Sequence, residues 1–180
     1  MSDFDYESRY RRALPTYPEK GVILRTITPL FADPEGLVHL VDDIADHFLG
    51  PLASPRSLAP RPDGFLVGAP VAYKLGAGFV PARKPGKLPR EVYSQSYSLE
   101  YGIDELQIHK DALKPDDVVL IVDDLVATGG TAAATAKLVE QSGARIEGFS
   151  FILELTFLNP RDVIAKEYPD CEVYTLIPVK

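Results

Sequence analysis

Apolar and polar positions along this chain alternate between strand and helix periodicity. The clearest strand covers 118–122, five consecutive apolar and mostly β-branched residues, and a helical run over 132–141 follows it. A continuous apolar run of this length, bounded by turn residues, is typical of a strand buried on both faces of a parallel sheet. Helical spacing of apolar residues also predicts a helix over 36–49, which Gly50 and Pro51 end.

The remaining segments continue this alternation. Strands are predicted at 22–25, 56–59, 79–82, 106–108, 145–155 and 173–177, and helices at 4–14, 64–75 and 159–166. Strands that alternate with helices predict an α/β fold with a central, mostly parallel sheet flanked by helices. A length of 180 residues favours a single domain over 1–180.

Charge and cysteine content narrow the classes of function. The formal net charge of −7 argues against nucleic acid or an anionic membrane as the main partner. The single Cys171 excludes an internal disulfide and a cysteine-rich zinc site. The N-terminal segment is polar and acidic without an apolar signal region, and no apolar run approaches the roughly 18–20 residues of a membrane span. We therefore expect a cytoplasmic protein.

The residues after the clearest strand carry the candidate chemistry. Asp123 and Asp124 end the apolar run, and the turn 127–131 reads Ala-Thr-Gly-Gly-Thr before the helix begins. Glycines, hydroxyls and the unpaired amides of a helix start form a cradle for an anion. The Walker and Rossmann patterns are both absent here. Because carboxylates repel phosphate, the aspartates are expected to meet sugar hydroxyls or a divalent cation of the same ligand.

This stretch resembles the motif of the type I phosphoribosyltransferase family that binds 5-phosphoribosyl-1-pyrophosphate (PRPP). Segments 21–25, 83–89, 96–102 and 153–156 are similar to the members of that family that act on adenine. The resemblance covers nearly the whole chain. It implies the type I phosphoribosyltransferase fold, with a small N-terminal hood over 1–35 that binds the base. It also implies a basic loop and flexible lid over 83–102.

The resemblance implies transfer of the phosphoribosyl group from PRPP to adenine, giving AMP and pyrophosphate, with Mg²⁺ as the cofactor. The 5′-phosphate would lie on Ala127, Thr128, Gly129, Gly130 and Thr131, and the ribose hydroxyls on Asp123 and Asp124. Magnesium would be held mainly through PRPP and water. A homodimer with shared sites is expected, and no nucleic-acid or membrane partner.

Other positions receive roles from the same resemblance. It implies catalytic roles for Glu100 as general acid and base, for Tyr101 over the sugar, and for Arg83. Pyrophosphate would be bound by Arg83, Lys84 and Lys87. Adenine would be contacted by Ile23, Arg25 and Leu155. Arginine and lysine supply charge-assisted hydrogen bonds to phosphate oxygens. The polar stretch 92–102 has few large aliphatic residues, which favours a mobile lid.

One position departs from the family pattern. Family members usually carry Arg-Gly-Phe where this chain has Asp63, Gly64 and Phe65. We expect Arg61 to substitute for the missing arginine in binding pyrophosphate, and Asp63 is a candidate to reach Mg²⁺ through water. Two alternatives stay open. In the first, the acceptor is another base, such as guanine, hypoxanthine or xanthine. In the second, the chain is a regulator that senses PRPP without catalysis.

Overall fold

A five-stranded parallel sheet lies at the centre of this computed structural model, which describes residues 4–6, 13–14, 24–25, 27–49, 55–98 and 102–180. Its strands, in spatial order, are β4 (Gly78–Ala82), β3 (Pro55–Pro60), β7 (Val118–Val126), β8 (Arg145–Leu155) and β9 (Glu172–Val179). Every neighbouring pair is parallel. The predicted α/β fold with a parallel sheet is therefore confirmed.

Helices cover both faces of the sheet. The described helices are α1 (Thr28–Ala32), α2 (Pro34–His47), α3 (Arg61–Lys74), α4 (Gly130–Ser142) and α5 (Pro160–Glu167). One core joins α4 and α5 to Val119 and Ile121 of β7, and a second joins α2 and α3 to Leu120 and Val122. Neighbouring β7 residues thus pack in opposite cores, which confirms that the strand is buried on both faces.

The first part of the stretch 92–102 forms a strand. Val92–Ser98 forms β5, which pairs antiparallel with β6 (Ile103–His109) in a two-stranded ribbon outside the central sheet. Tyr93 and Tyr97 are partly buried and pack against the core. The aromatic rings supply the apolar surface that aliphatic residues lack. A mobile lid stays a prediction, and residues 99–101 lie outside the described residues.

The helix predicted over 4–14 is wrong at its last two residues, and residues 7–12 lie outside the described residues. Ala13–Leu14 form a strand, β1, which pairs antiparallel with Leu24–Arg25, β2. The apolar spacing of that short segment did not reveal a pairing partner so far along the chain. The two strands form a small sheet of their own, within the segment predicted to be the hood.

The strand order places a crevice between β3 and β7. From β3 the chain passes through α3 to β4 on one side, and it later returns to β7 on the other side. Ligands of open α/β sheets bind at such a reversal, beyond the carboxyl ends of the strands. Within the described residues, no helix has the length and apolar character needed to cross a membrane. The cytoplasmic location stays a prediction.

Candidate active site

The predicted phosphate cradle lies at the carboxyl end of β7. Strand β7 continues through Val126, and α4 begins at Gly130 after a three-residue turn. Its N-cap is Gly129, which adopts a left-handed conformation with φ of 86°. Since glycine has no side chain to cap the helix, the first-turn amides of α4 are left to a ligand, and the helix dipole favours an anion there.

The first turn of α5 packs against the turn 127–131, which is called the phosphate turn below. A Cβ atom at Gly129 would lie 2.8 Å from the carbonyl oxygen of Pro160 and 3.2 Å from Cβ of Val163. Glycine is therefore required here twice, once for its positive φ and once for this close approach. The first turn of α5 therefore lies in direct contact with the cradle at Gly129.

The aspartate pair lies inside the last part of β7. Asp123 is buried, with 2% of its surface exposed, whereas Asp124 is half-buried. The amide of Asp124 donates to Oδ1 of Asp123 at 3.0 Å. A Cβ atom at Gly64, in the first turn of α3, would lie 2.5 Å from the same Oδ1. Asp123 is thus enclosed at the crevice between β3 and β7, beside a helix start whose dipole favours its charge.

The basic loop begins where β4 ends. Arg83 forms a backbone bridge with Gln107 of β6, its amide donating to the Gln107 carbonyl at 2.8 Å. The Arg83 guanidinium lies 5.5 Å from the ring centroid of Phe65 on α3, within the range of a cation–π contact. This contact holds the guanidinium beside the first turn of α3, next to the crevice.

Lys84 of the same loop pairs with an acid on the ribbon. Its Nζ lies 3.0 Å from Oδ2 of Asp104, which the Tyr97 hydroxyl also approaches at 3.4 Å. The hydrogen bond from Lys84 holds the pKa of Asp104 below its usual range, although burial acts in the opposite direction. Lys87 is exposed on the loop. Lys84 is therefore positioned by the ribbon, and Lys87 is open to solvent.

An ion pair between a buried carboxylate and a half-exposed guanidinium lies at the carboxyl end of β8, next to Leu155. Glu154 is 3% exposed, and Arg161 of α5 donates to its two carboxylate oxygens from Nε and Nη2, both at 2.8 Å. The Thr175 hydroxyl donates to Oε2 at 2.9 Å. Burial raises the pKa of Glu154, but the hydrogen bonds from Arg161 and Thr175 outweigh it, so the pKa lies below its usual value. These groups line an open cleft of about 410 Å³.

The lowered pKa of Glu154 predicts a pH-dependent stability. The ionised carboxylate stabilises the folded state, so its contribution is complete above the ordinary pKa of 4.5 and is lost as the pH falls through the lower folded value. Urea unfolding of the wild type and Glu154→Gln should show a difference in free energy of unfolding that shrinks below about pH 4.5. A difference that does not change with pH would contradict this assignment.

Several predicted residues meet at the carboxyl edge of the sheet. Strand ends bring together Arg83 after β4, the aspartate pair and the phosphate turn on β7, and Leu155 on β8, which packs partly buried against the core. Glu100, Tyr101 and Ile23 lie outside the described residues. Arg25, Arg61 and Asp63 are described by their backbone: Arg25 is in β2, and Arg61 and Asp63 are in the first turn of α3.

The structure adds residues that the sequence reasoning did not assign. Gly64 provides the space for Asp123, Phe65 holds Arg83, and Arg161 neutralises Glu154. Gly64 could have been noticed from the sequence, because it directly follows Asp63, where this chain departs from the family's usual arginine. The sequence carried a weaker signal for the pairing of Glu154 with Arg161. These opposite charges are seven residues apart and lie on different elements, so their spacing does not show that they meet.

A parallel sheet with a phosphate cradle and an acid pair at one strand end defines a class of enzymes. The model of the phosphoribosyl transferase domain matches residues 58–179. This match runs from the second half of β3 to the end of β9 and includes every described site residue outside the N-terminal segment. The chain belongs to the phosphoribosyltransferase family.

Within the family, the chain is similar to adenine phosphoribosyltransferases. That of Synechococcus sp. (strain JA-3-3Ab) is 52% identical over 160 residues, which cover 88% of this chain and 90% of the relative. The crystal structure of that from Thermoanaerobacter pseudethanolicus superposes with a TM-score of 0.85 at 44% identity, covering 96% of this chain and 97% of the other. That from Saccharomyces cerevisiae, complexed with an imino-altritol bisphosphate and adenine, gives 0.83 at 36% identity, covering 91% and 92%.

Proposed function

We propose that this enzyme transfers the 5-phosphoribosyl group of PRPP to adenine, giving AMP and pyrophosphate in purine salvage. The observation that carries the proposal is the cradle at the start of α4, directly beside the aspartates of β7. A ligand with a phosphate next to a polyhydroxylated sugar satisfies both features at once. The relatives' names and the adenine in the yeast complex support adenine as the acceptor.

The residues of the site divide the work of this reaction. The amides of the phosphate turn bind the 5′-phosphate, and Asp123 and Asp124 accept hydrogen bonds from the ribose hydroxyls. N9 of adenine attacks C1 of the sugar while the bond from C1 to the pyrophosphate oxygen breaks. Arg83 and Lys87 donate to the departing pyrophosphate, whose growing charge they stabilise. Lys84 also donates to pyrophosphate, either after leaving its partner Asp104 or while it still contacts Asp104.

The base and the lid complete the mechanism. Leu155 packs on the face of adenine, and the main chain at Ile23 and Arg25 meets the edge of the base. Glu100 acts as the general base that takes up the proton adenine loses as N9 bonds to C1, and Tyr101 covers the reacting sugar. Closure of the lid excludes water, which would otherwise hydrolyse the oxocarbenium-like centre.

The acid pair fits a magnesium ion that is bound mainly through the substrate. Mg²⁺ usually keeps several waters and takes one or two carboxylates together with substrate phosphates. The described residues offer the two carboxylates of Asp123 and Asp124 at the crevice and contain no cluster of three or more acidic, histidine or cysteine ligands. Asp63, in the first turn of α3, is a candidate for contact through water. When bound, Mg²⁺ neutralises charge on pyrophosphate.

A panel of free bases tests the proposed function. Purified protein with PRPP and Mg²⁺ is incubated separately with adenine, guanine, hypoxanthine and xanthine, and nucleotide and pyrophosphate are measured. We expect AMP and pyrophosphate in equal amounts from adenine. Nucleotide formed faster from another base would identify that base as the acceptor. Binding of PRPP with no product from any base would favour the sensor function.

We propose further that the enzyme is a homodimer formed through α3. This helix exposes an apolar stripe, with Leu66 at 56% and Tyr73 at 87% exposure and the exposed Ala69 between them. Contiguous apolar surface of this kind marks an interaction site, and a two-fold axis lets the same helix of a second copy cover it. Because Phe65 on this helix supports Arg83, the contact would lie close to the basic loop.

A charge placed in the stripe should separate the subunits. We expect Leu66→Glu to sediment as a monomer in analytical ultracentrifugation and to lose most of its activity, since a buried unpaired carboxylate opposes association. Val38→Glu is the matched control, because Val38 is a helical residue of α2 with 57% exposure. A wild type that is active as a monomer would contradict the proposal.

A further inference from the structure

The side chain of Arg161 joins three elements behind the phosphate turn. From the second position of α5 it donates to both carboxylate oxygens of Glu154 on β8. Its Nη1 donates to the carbonyl of Val173 on β9 at 2.8 Å, and its Nη2 to the Thr175 hydroxyl at 3.0 Å. A planar guanidinium can make all these bonds together, which an ammonium group cannot.

Arg161 makes one of several contacts that hold the segment that contains α5. The Thr156 hydroxyl donates to the Val179 carbonyl at 2.9 Å, and Lys137 of α4 pairs with Glu167 at 2.7 Å. A single 3₁₀ turn, Thr156–Leu158, leads from β8 to Asn159, which has φ of 50°. Asparagine adopts this left-handed conformation more readily than other residues with a side chain, which suits Asn159 to the turn before α5. Helix α5 has eight residues, of which Pro160 and Ile164 are buried. A helix this short depends on tertiary contacts for its position.

The phosphate turn rests on this same segment. Gly129 faces the carbonyl oxygen of Pro160, the residue before Arg161, and Cβ of Val163, two residues after it. Gly129 is the N-cap of α4, so a shift of α5 toward or away from it moves the amides of the cradle. The chain of contacts from Glu154 through Arg161 to Gly129 is therefore continuous.

We propose that Arg161 is a positioning residue for the phosphate end of the substrate: its pairing with Glu154 helps to fix the start of α5, and the start of α5 contacts the phosphate turn. The inference rests on the proposed function in one respect, which is that the phosphate of PRPP occupies the turn. Arg161 acts through its hold on α5 and does not touch the phosphate.

Binding and kinetics of Arg161→Lys test the inference, because lysine keeps the charge and loses the paired geometry. We expect the Kd and KM for PRPP to rise about tenfold, while kcat and the KM for adenine change by less than about twofold. Lys166→Gln is the control, since Lys166 is an exposed cation on the same helix. A lower melting temperature with unchanged PRPP affinity would show a structural role alone and overturn the proposal.

Two further variants separate positioning from direct attraction. Glu154→Gln leaves Arg161 charged and should weaken PRPP binding in the same direction. Tighter binding in that variant would mean that Arg161 attracts the phosphate directly, which would overturn the proposal. Thr175→Val is milder and serves if the other variants do not fold. It removes one hydrogen bond to each member of the pair, and PRPP affinity should fall about threefold; an unchanged affinity would count against positioning.

The measurements also keep this inference apart from the proposed function. PRPP binding is measured by calorimetry without any base, so it does not depend on catalysis. A wild type that binds PRPP and makes no AMP fails as the proposed enzyme, and its Arg161 variants still test the positioning role. A wild type that makes AMP, with an Arg161→Lys variant of equal PRPP affinity, fails the positioning role alone.

Discussion

Gly129→Ala is expected to lower kcat/KM for PRPP by about a hundredfold, the size of effect that follows from a displacement of about 1 Å in a binding site. The added Cβ would lie 2.8 Å from the Pro160 carbonyl, so either the phosphate turn or α5 must move. The positive φ of 86° adds backbone strain. Steady-state kinetics with varied PRPP at saturating adenine measures the loss.

Gly143→Ala is the matched control at the other end of α4. Gly143 also has a positive φ, 80°, but its added Cβ would lie 3.5 Å from Cγ of Pro115, an ordinary contact. We expect a lower melting temperature from the backbone strain, with KM for PRPP changed by less than about twofold. Equal kinetic losses in the two variants would mean that strain in α4, rather than contact with α5, explains the effect.

Asp124→Asn is expected to raise the Kd for PRPP by between about tenfold and about a hundredfold. A hydrogen bond to a charged group is worth about 1.5–3 kcal/mol, and each 1.4 kcal/mol corresponds to about tenfold in affinity. Asp124 is half-buried at the crevice, so its carboxylate is open to the ribose hydroxyls. Calorimetric titration with PRPP and Mg²⁺ provides the measurement.

Asp116→Asn controls for the change in net charge. Asp116 is exposed just before β7 begins, at the opposite edge of the sheet from Asp124. Its substitution removes the same charge and should leave PRPP affinity unchanged. If Asp124→Asn behaves like this control, the assignment of Asp124 to the ribose is wrong.

The central sheet could be predicted because each of its later strands carries a strong local pattern. The apolar run before Asp123 and the long run over 145–155 both appear as buried strands with nearly the predicted bounds. The site followed from the same pattern, since parallel strands bring their carboxyl ends to one edge. Local sequence was sufficient to predict a feature wherever that feature depended on the residues of a single strand or helix.

Features that depend on two distant elements could not be predicted in this way. The strand Ala13–Leu14 forms through its pairing with Leu24–Arg25, and its own apolar spacing suggested a helix. The support of Gly129 by Pro160 and the neutralisation of Glu154 by Arg161 depend on where α5 lies. Such contacts are set by packing, which overrides local propensity and leaves no periodic signal.

The order of strands in the central sheet also bears on synthesis of the chain. Strand β3 pairs with β7 as well as with β4, and Leu58 meets Ile121 only after the whole ribbon β5–β6 has been made. Until β7 leaves the ribosome, β3 presents an open backbone edge to other nascent chains. Premature termination before residue 118 should therefore yield aggregating fragments, because β7, which carries the aspartates, is also the strand that covers the open edge of β3.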